Sequence, residues 1–288
     1  MPDHDLDGQG VVAVINSSAG GDPATAETVR ASLPEAEVVE TAGRDVAGLM
    51  GEAAARARVL AVAGGDVTVG RGARAALEHR RPLLIIPSGT SDHFAGALGL
   101  RDSQDAMTAY RSGGMVAVDV GEVAGRVFLN NAASAPIRSS SAARVHRAAR
   151  RQVARAAVGA GPRAAHRRAR GGGHRRGPRR VWALFVGNCR YDSRGAAPRL
   201  RRRLEDGLLD IRLLTATSRL PRLRAFSSVL LGGLGLSRHY QQWQADTLRV
   251  SSPSGSVRLA CDGETFTARG DVEFTKRPRA LLVVRPAG

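Results

Sequence analysis

Cysteine, lysine and aromatic residues are scarce in this chain of 288 residues. The two cysteines, Cys189 and Cys261, are too few for a disulfide framework, so we expect free thiols. No apolar run reaches the roughly 18 residues of a membrane helix, so we expect no transmembrane span. The first ten residues are polar and acidic, unlike a secretory signal peptide. These absences together predict a cytoplasmic protein.

Acidic residues are absent from residues 131–180, which hold 14 arginines. This segment supplies 14 of the 17 formal net positive charges, because the rest of the chain has 29 basic and 26 acidic residues. A strongly basic chain would ordinarily suggest a nucleic-acid or membrane partner. Because the charge is confined to one segment, we do not expect nucleic acid to be the partner of the protein as a whole.

Strand and helix patterns alternate over residues 11–120. Continuous apolar runs such as "VVAVIN", "VLAVAGG" and "PLLIIPSGT" are typical of buried parallel strands. The alternation predicts an α/β domain over 9–125, in which helices cover an open parallel sheet. After residue 180, short strand patterns prevail, and only "RLPRLRAFSSVLLGGLG" has helical spacing. We therefore predict a C-terminal β-rich, sandwich-like domain over 126–288.

Small and polar residues follow three of the predicted parallel strands, in "NSSAGG", "AGGDVT" and "PSGTSDH". Ligands bind beyond the carboxyl ends of such strands. Glycine-rich turns before helices present backbone N–H groups to phosphate, and Asp66 fits a carboxylate next to phosphate or Mg²⁺. None of the turns has the P-loop pattern. Three such turns at successive strand ends favour a nucleotide site over plain strand–helix connections.

The order of these motifs resembles the diacylglycerol kinase catalytic-domain family, of the bacterial lipid kinase type. "AGGDVT" resembles the family's Gly-Gly-Asp-Gly-Thr loop, and "PSGTSDHFAGALGL" resembles its Pro-x-Gly-Thr-x-Asn-Asp/His-Phe-Ala motif. Late in the chain, "FVGN", "EDGLLD" and "CDGE" resemble its second-domain motifs in order and spacing. Sphingosine kinases and NAD kinases are related to this family, and NAD kinases share the Gly-Gly-Asp-Gly-Thr loop.

The resemblance implies an ATP- and Mg²⁺-dependent kinase that phosphorylates a lipid hydroxyl, such as that of diacylglycerol, at a membrane surface. It implies that Glu264 is the general base and that Asp66 is a second catalytic carboxylate. It implies a structural Mg²⁺ at Asp206 and the carbonyl of Leu208, and it is compatible with a homodimer. The residues that would hold the nucleotide are Asn16, Ser17, Ser18, Gly20, Thr41, Gly64, Gly65, Asp66, Thr68, Ser88, Gly89 and Thr90.

Two departures from the family pattern bear on activity. Val67 stands where the family has glycine, and valine adopts positive φ poorly, so we expect weakened ATP binding. Residues 134–180 are rich in arginine and alanine where the family has a Tyr-Pro-Glu motif. Arginines at spacings of three and four from Arg144 to Arg155 predict a basic helix that could bind anionic lipid or nucleic acid.

A shifted reading frame over about residues 134–178 is another interpretation of this segment. Bases that can encode "APIRSS" encode Ala-Tyr-Pro-Glu-Leu, as in the family, when they are read two positions later. Two alternative functions also stay open. One is a catalytically decayed homologue whose basic segment binds anionic polymers, and the other is an NAD-kinase-like enzyme with a soluble acceptor.

Overall fold

The computed structural model describes residues 6–16, 24–41, 45–89, 92–134, 144–147, 181–192, 201, 203–215, 240–252 and 254–287. The helices in these ranges are α1 (Ala24–Ser32), α2 (Val46–Arg56), α3 (Asp66–His79), α4 (His93–Leu98) and α5 (Ser103–Ser112). The strands are β1 (Val11–Ile15), β2 (Glu37–Glu40), β3 (Val59–Ala63), β4 (Leu83–Ile86), β5 (Gly114–Val123), β6 (Arg126–Phe128), β7 (Asn131–Ser134), β8 (Arg144–Arg147), β9 (Val181–Asn188), β10 (Leu209–Thr215), β11 (Tyr240–Ala245), β12 (Thr247–Ser251), β13 (Ser256–Cys261), β14 (Glu264–Arg269) and β15 (Val272–Arg285).

A parallel sheet forms the N-terminal part of the molecule. Strands β1, β3 and β4 are buried at every position, as expected of apolar strands covered on both faces. They pair in parallel in the order β2-β1-β3-β4, with Val11 opposite Val59 and Leu60 opposite Leu83. The predicted α/β class is confirmed, and the parallel arrangement places the carboxyl ends of all four strands at one edge.

Strand β15 extends this parallel sheet with strands from the C-terminal half of the chain. It pairs in parallel with β4 and antiparallel with β5 and β12, and β8 pairs with β12. The patterns "DVEFTK" and "ALLVVRP" predict two strands here, but the structure has one, with a register shift between Arg277 and Leu281. Pro278 lacks an N–H and Arg279 has a φ of +47°, so the chain bulges and then resumes its pairing with β5.

A second, antiparallel sheet has the order β11-β10-β9-β7-β13-β14. Its buried side chains, including Val186 and Ile211, share a hydrophobic cluster with Leu248 and Phe274 of the large sheet. The predicted β-rich, sandwich-like arrangement is confirmed. The predicted boundary between residues 125 and 126 falls at the turn of the β5–β6 hairpin, and the division into two domains stays a prediction.

One predicted helix has a different structure, and other predictions concern residues outside the described ranges. Residues 144–147 form strand β8 rather than part of a basic helix, because their backbone pairs with β12. The helix predicted over 219–235 and most of the arginine-rich segment lie outside the described residues. Both cysteines are free and buried. Among the described helices, none has the length and apolar character of a membrane span.

Candidate active site

The carboxyl end of β1 is joined to the start of α3 by a side-chain hydrogen bond. Asn16 follows β1 directly, and its Nδ2 donates to the Thr68 Oγ1 at 3.0 Å. Thr41 follows β2, and its hydroxyl lies 3.5 Å from the Asn16 Oδ1 and 3.4 Å from the Ile15 carbonyl. The structure therefore brings Asn16, Thr41 and Thr68 together at one edge of the parallel sheet.

The turns that follow β3 and β4 touch each other through glycines. A Cβ atom at Gly64 would lie 2.6 Å from the Thr68 Cβ, and one at Gly89 would lie 3.0 Å from the Gly65 Cα. A Cβ at Gly89 would push the two turns apart, and one at Gly64 would clash with Thr68 within its own turn, so both positions require glycine. Gly65 precedes α3 without a side-chain cap, and the first-turn N–H groups of α3 can therefore be offered to an anion.

Asp66, the first residue of α3, connects this helix to α4. Its Oδ1 accepts a hydrogen bond from the Phe94 N–H at 3.2 Å, and its Oδ2 lies 2.8 Å from the His93 Nδ1. The Asp66 side chain is largely covered, and the His93 ring is half exposed. Asp66 thus holds the β3–α3 and β4–α4 turns in a fixed relation, with a carboxylate at their junction.

Two buried polar atoms at this edge, the Ser88 Oγ and the Asp92 Oδ1, have no hydrogen-bond partner within the described structure. The other Asp92 oxygen accepts from the Gly89 N–H at 3.0 Å. Burial raises the pKa of Asp92 above its usual value, the Gly89 N–H opposes this, and the nearby Asp66 charge raises the pKa further. Because buried polar groups are nearly always paired, these two atoms indicate a place for a polar ligand or a cation.

Glu264 opens β14 directly after a tight hairpin turn. Asp262 and Gly263 form the turn with φ values of +44° and +95°, the left-handed conformations of a two-residue hairpin. The Glu264 Oε1 accepts from the Arg71 Nε at 2.7 Å, and its Oε2 lies 3.6 Å from an Nη of Arg126. These contacts orient the carboxylate toward α3.

A cleft of about 440 Å³ lies between α2, α3 and the hairpin that carries Glu264. The residues that line it are Asp45, Ala47, Gly51, Val67, Gly70, Arg71, Arg74, Ala75, Glu78, Arg126, Val127, Cys261, Asp262 and Glu264. Val67, in the first turn of α3, is the lining residue that follows the Gly64–Asp66 turn, and no described residue of the glycine turns lines the cleft itself. The Glu264 carboxylate therefore shares this opening with the first turn of α3 through Val67.

Comparison with known proteins agrees with this geometry. Residues 10–123 match the family model of the diacylglycerol kinase catalytic domain. The chain is 31% identical over 258 residues to a "Probable lipid kinase YegS-like" of Pseudomonas savastanoi pv. phaseolicola, with 84% of this chain and 81% of that protein covered. The chain belongs to the diacylglycerol kinase catalytic-domain family. A protein of the same name from Pseudomonas syringae pv. tomato is 30% identical at the same coverage. The chain is accordingly a kinase, a transferase of phosphate groups.

The fold of this kinase is also that of a solved structure. A diacylglycerol kinase from Bacillus anthracis str. Sterne superposes with a TM-score of 0.63, with 96% of each chain covered and 18% sequence identity. At this identity the comparison speaks for the fold alone. It agrees with the combination of a parallel sheet and an antiparallel sheet described above.

Most of the predicted nucleotide residues lie at one edge of the parallel sheet of the kinase. The described members of this group are Asn16, Thr41, Gly64, Gly65, Asp66, Thr68, Ser88 and Gly89. The others, Ser17, Ser18, Gly20 and Thr90, lie outside the described residues. Glu264 lines the cleft described above, where its carboxylate contacts Arg71 of α3.

Asp206 and Leu208, the predicted Mg²⁺ ligands, lie in the loop before β10. The Asp206 Oδ2 accepts from the Arg190 N–H at 2.8 Å, and its Oδ1 accepts from the Leu208 N–H at 2.9 Å. The Leu208 carbonyl accepts from the Cys189 N–H at 3.1 Å. The predicted ligand atoms are therefore engaged in closing the loop with backbone hydrogen bonds.

Sequence reasoning missed the residues that fix Glu264 in place. Arg71 and Arg126 are two among many arginines, so nothing in the sequence marks them as its partners. Arg201 is buried, donates to the Leu129 carbonyl at 2.6 Å, and lies over the Phe94 ring at 5.5 Å. Arg201 therefore links α4, which contacts Asp66, to the segment that supports the Glu264 hairpin.

Asp262 clamps the hairpin to the segment before β7. Its carboxylate accepts backbone N–H bonds from Leu129, Asn130 and Asn131 at 2.6 to 2.9 Å. Burial nevertheless raises the pKa of Asp262 to about 6, against the opposing effect of the three N–H donors. The motif "CDGE" contained this residue, but the sequence did not indicate that its partners lie more than 100 residues away.

The raised pKa of Asp262 predicts a pH dependence of stability. The folded value of about 6 exceeds the unfolded value near 4, so the stabilising effect of the proton is complete below about pH 4. It is lost as the pH rises through about 6, at a cost of about 3 kcal/mol. Urea titrations of both proteins measure this effect. Between about pH 4 and about pH 7, we expect the free energy of unfolding of wild type to fall by this amount relative to that of Asp262→Asn.

The control for this measurement is Asp271→Asn, which removes an exposed carboxylate. This variant should keep the wild-type pH dependence. A difference between wild type and Asp262→Asn that stays constant between about pH 4 and about pH 7 would contradict the assignment.

Proposed function

We propose that this kinase transfers the γ-phosphate of ATP to the hydroxyl of a lipid such as diacylglycerol. The observation that carries the proposal is the convergence of the glycine turns at one sheet edge, with Glu264 held by Arg71 of α3, the helix that begins at the turn after β3. Phosphoryl transfer needs positioned phosphates, compensation of their charge and a base for the acceptor. The glycine turns offer N–H donors that can position the phosphates, and Glu264 offers a carboxylate that can serve as the base.

In this proposal the nucleotide phosphates lie against the turns after β1, β3 and β4. The first-turn N–H groups of α3 and the hydroxyls of Thr68 and Ser88 donate to phosphate oxygens. Asn16 holds the Thr68 hydroxyl in place through its 3.0 Å hydrogen bond. Ser88 is well suited to this role because its Oγ is buried without a partner in the described structure.

Mg²⁺ fits the carboxylates at the same edge of the sheet. Asp66 and Asp92 offer hard oxygen ligands, and the Asp92 Oδ1 is the buried oxygen that lacks a partner among the described residues. We propose that these two residues hold the ion that accompanies ATP. The ion would neutralise phosphate charge, whereas the turns hold the nucleotide in position.

Glu264 acts in this proposal as the general base. Its Oε1 is held by Arg71, and its Oε2 has only the longer contact with Arg126 among its described ion pairs. The Oε2 is therefore placed to take the proton of the acceptor hydroxyl as the oxygen attacks phosphorus. We propose that a lipid enters the cleft from the cytoplasmic membrane surface, with which the protein associates peripherally.

Transfer of labelled phosphate from ATP into mixed micelles tests this function. We expect labelled lipid when the micelles contain diacylglycerol and Mg²⁺ is present, and none in micelles of detergent alone. Label that enters NAD but no lipid would support the NAD-kinase-like alternative. Failure to label either acceptor, with ATP still bound, would support a decayed homologue.

Val67 requires a corrected explanation, because the backbone strain expected there is absent. Val67 lies in the first turn of α3 and is not among the residues with positive φ. Its side chain is 37% exposed, lines the cleft, and comes within 3.1 Å of the place where a Cβ on Gly263 would be. The isopropyl group therefore acts through its bulk between the glycine turns and the Glu264 hairpin.

Val67→Gly is expected to lower the KM for ATP about tenfold by removing this bulk. A glycine inside a helix also costs about 1 kcal/mol of stability, so Tm should fall slightly. Val67→Ala is the matched variant, since it removes two methyl groups and keeps helix propensity, and it should give part of the effect. An unchanged KM for ATP in both variants would contradict the role of Val67.

A further inference from the structure

The only lysine of the chain has its ammonium group buried at the junction of the two sheets. Lys276 lies on β15, and its side chain is fully shielded from solvent. Its Nζ donates to the Asn188 Oδ1 at 2.5 Å and to the Cys189 Sγ at 3.0 Å, and lies 3.3 Å from the Asp119 Oδ2. An ammonium group has three protons, and each has an acceptor here.

Asp119, on β5, is the charge that Lys276 compensates. Its side chain is also fully buried. Its Oδ1 accepts from the Arg279 N–H at 2.8 Å, and its Oδ2 accepts from the Gly207 N–H at 2.7 Å. A carboxylate removed from water in this way needs a cation beside it, since unpaired buried charge is costly. Within the described structure, Lys276 is the basic side chain that forms an ion pair with it.

Three potential metal ligands lie close together around Lys276, but they are not the ligand types that Mg²⁺ prefers. Ligand atoms of Asp119, Cys189 and Asp206 lie within 4.8 Å of one another. A thiol is a soft ligand that Mg²⁺ does not favour, and both Asp206 oxygens already accept backbone N–H bonds. A divalent cation would also lie beside the buried Lys276 ammonium, so the donor set of Asp119, Cys189 and Asp206 does not fit Mg²⁺.

We propose that Lys276 is an internal cation that takes the place of a divalent metal at this junction of β5, β9 and β15. Apart from the histidines, the remaining basic residues of the chain are arginines, and the planar guanidinium cannot offer three donors from one compact centre. The ammonium group joins Asp119 of the large sheet to Asn188 and Cys189 at the end of β9. The folded chain therefore needs no metal here, whatever the nucleotide site binds.

The first test measures thermal unfolding and metal content of the full wild-type chain without nucleotide. We expect Tm values in EDTA and in excess Mg²⁺ or Mn²⁺ to agree within about 1 °C, and far less than one metal per chain by elemental analysis. A Tm that rises by about 4 °C or more with Mg²⁺, or one tightly held divalent ion per chain, would overturn the proposal, because the ion proposed at Asp66 and Asp92 binds together with ATP, which is absent here. This test does not depend on any variant folding, nor on kinase activity.

The second test asks whether Lys276 acts through its charge on Asp119. Lys276→Met should lower Tm by about 6–15 °C, because it leaves a buried carboxylate unpaired. Adding Asp119→Asn to that variant should recover part of the loss, since both charges are then gone. A double variant less stable than Lys276→Met alone would overturn the proposal.

Arg277→Met is the matched control, because it removes a charge from the next residue of the same strand. Arg277 is exposed and pairs with Glu122 at 3.4 Å on the surface. Its loss should change Tm by no more than about 2 °C, because exposed ion pairs contribute little. An equal loss in Arg277→Met and Lys276→Met would show that the burial of the ammonium group has no special role.

Discussion

Glu264→Gln should lower the turnover number for phosphoryl transfer by about 10²–10⁴-fold. The amide cannot take the proton of an acceptor hydroxyl, yet its oxygen can still accept from Arg71, as the Glu264 Oε1 does at 2.7 Å. The hairpin should therefore keep its position, and ATP should bind as in wild type. Initial rates of label transfer to diacylglycerol micelles, together with the Kd for ATP, measure both effects.

Glu273→Gln is the control for this prediction. Glu273 lies on β15, away from the residues that line the cleft, and its exposed side chain is 3.6 Å from Arg249. The change removes the same charge from the same half of the molecule and should leave the transfer rate within a factor of about two. If Glu264→Gln kept more than about a tenth of the wild-type rate, another group would have to be the base.

The parallel sheet and its turns could be predicted because their signals are local. Residues 59–66 form a continuous apolar run that ends in two glycines and an acid, and parallel topology brings such ends to one edge. The sequence could therefore place Asn16, Gly64 and Ser88 at this edge of the sheet without any knowledge of their contacts. The close approach of Gly89 to Gly65 is a consequence of this topology.

The residues that join the two sheets could not be predicted, because their partners are distant in sequence. Arg71 meets Glu264 across 193 positions, and Lys276 meets Asn188 across 88. No periodicity encodes such pairs, since each depends on how the two sheets and their helices pack against one another. The single lysine was a visible signal, but composition could not reveal that its ammonium group is buried.

The positive φ expected at Val67 is wrong for a related reason, whereas the weakening of ATP binding stays a prediction. The sequence showed a valine where the family has glycine, and positive φ is one reason for glycine. The structure has Val67 inside α3, where side-chain volume matters and backbone freedom does not. A substitution pattern can therefore identify the right position while the physical cause depends on the backbone conformation.

Asp66→Asn is expected to reduce the transfer rate by about 10²-fold or more, because in the proposed mechanism the carboxylate is a ligand of the Mg²⁺ that neutralises phosphate charge. The amide oxygen can still accept from the Phe94 N–H, which Asp66 now holds at 3.2 Å, so α3 and α4 should stay joined. Removal of the charge should also lower the pKa of Asp92, which Asp66 raises. Kinetics with titrated Mg²⁺, and NMR titration of Asp92, measure the two effects.

His93→Ala separates the charge of Asp66 from its bracing role. This variant removes the imidazole whose Nδ1 lies 2.8 Å from the Asp66 Oδ2, and it keeps the Asp66 carboxylate itself. If Asp66 acts through its charge on Mg²⁺, the transfer rate of His93→Ala should fall by less than about tenfold. The rate of Asp66→Asn should fall much further. Equal losses in the two variants would mean that Asp66 acts only by holding the turns together, and the proposed ligand role of Asp66 would then have to be abandoned.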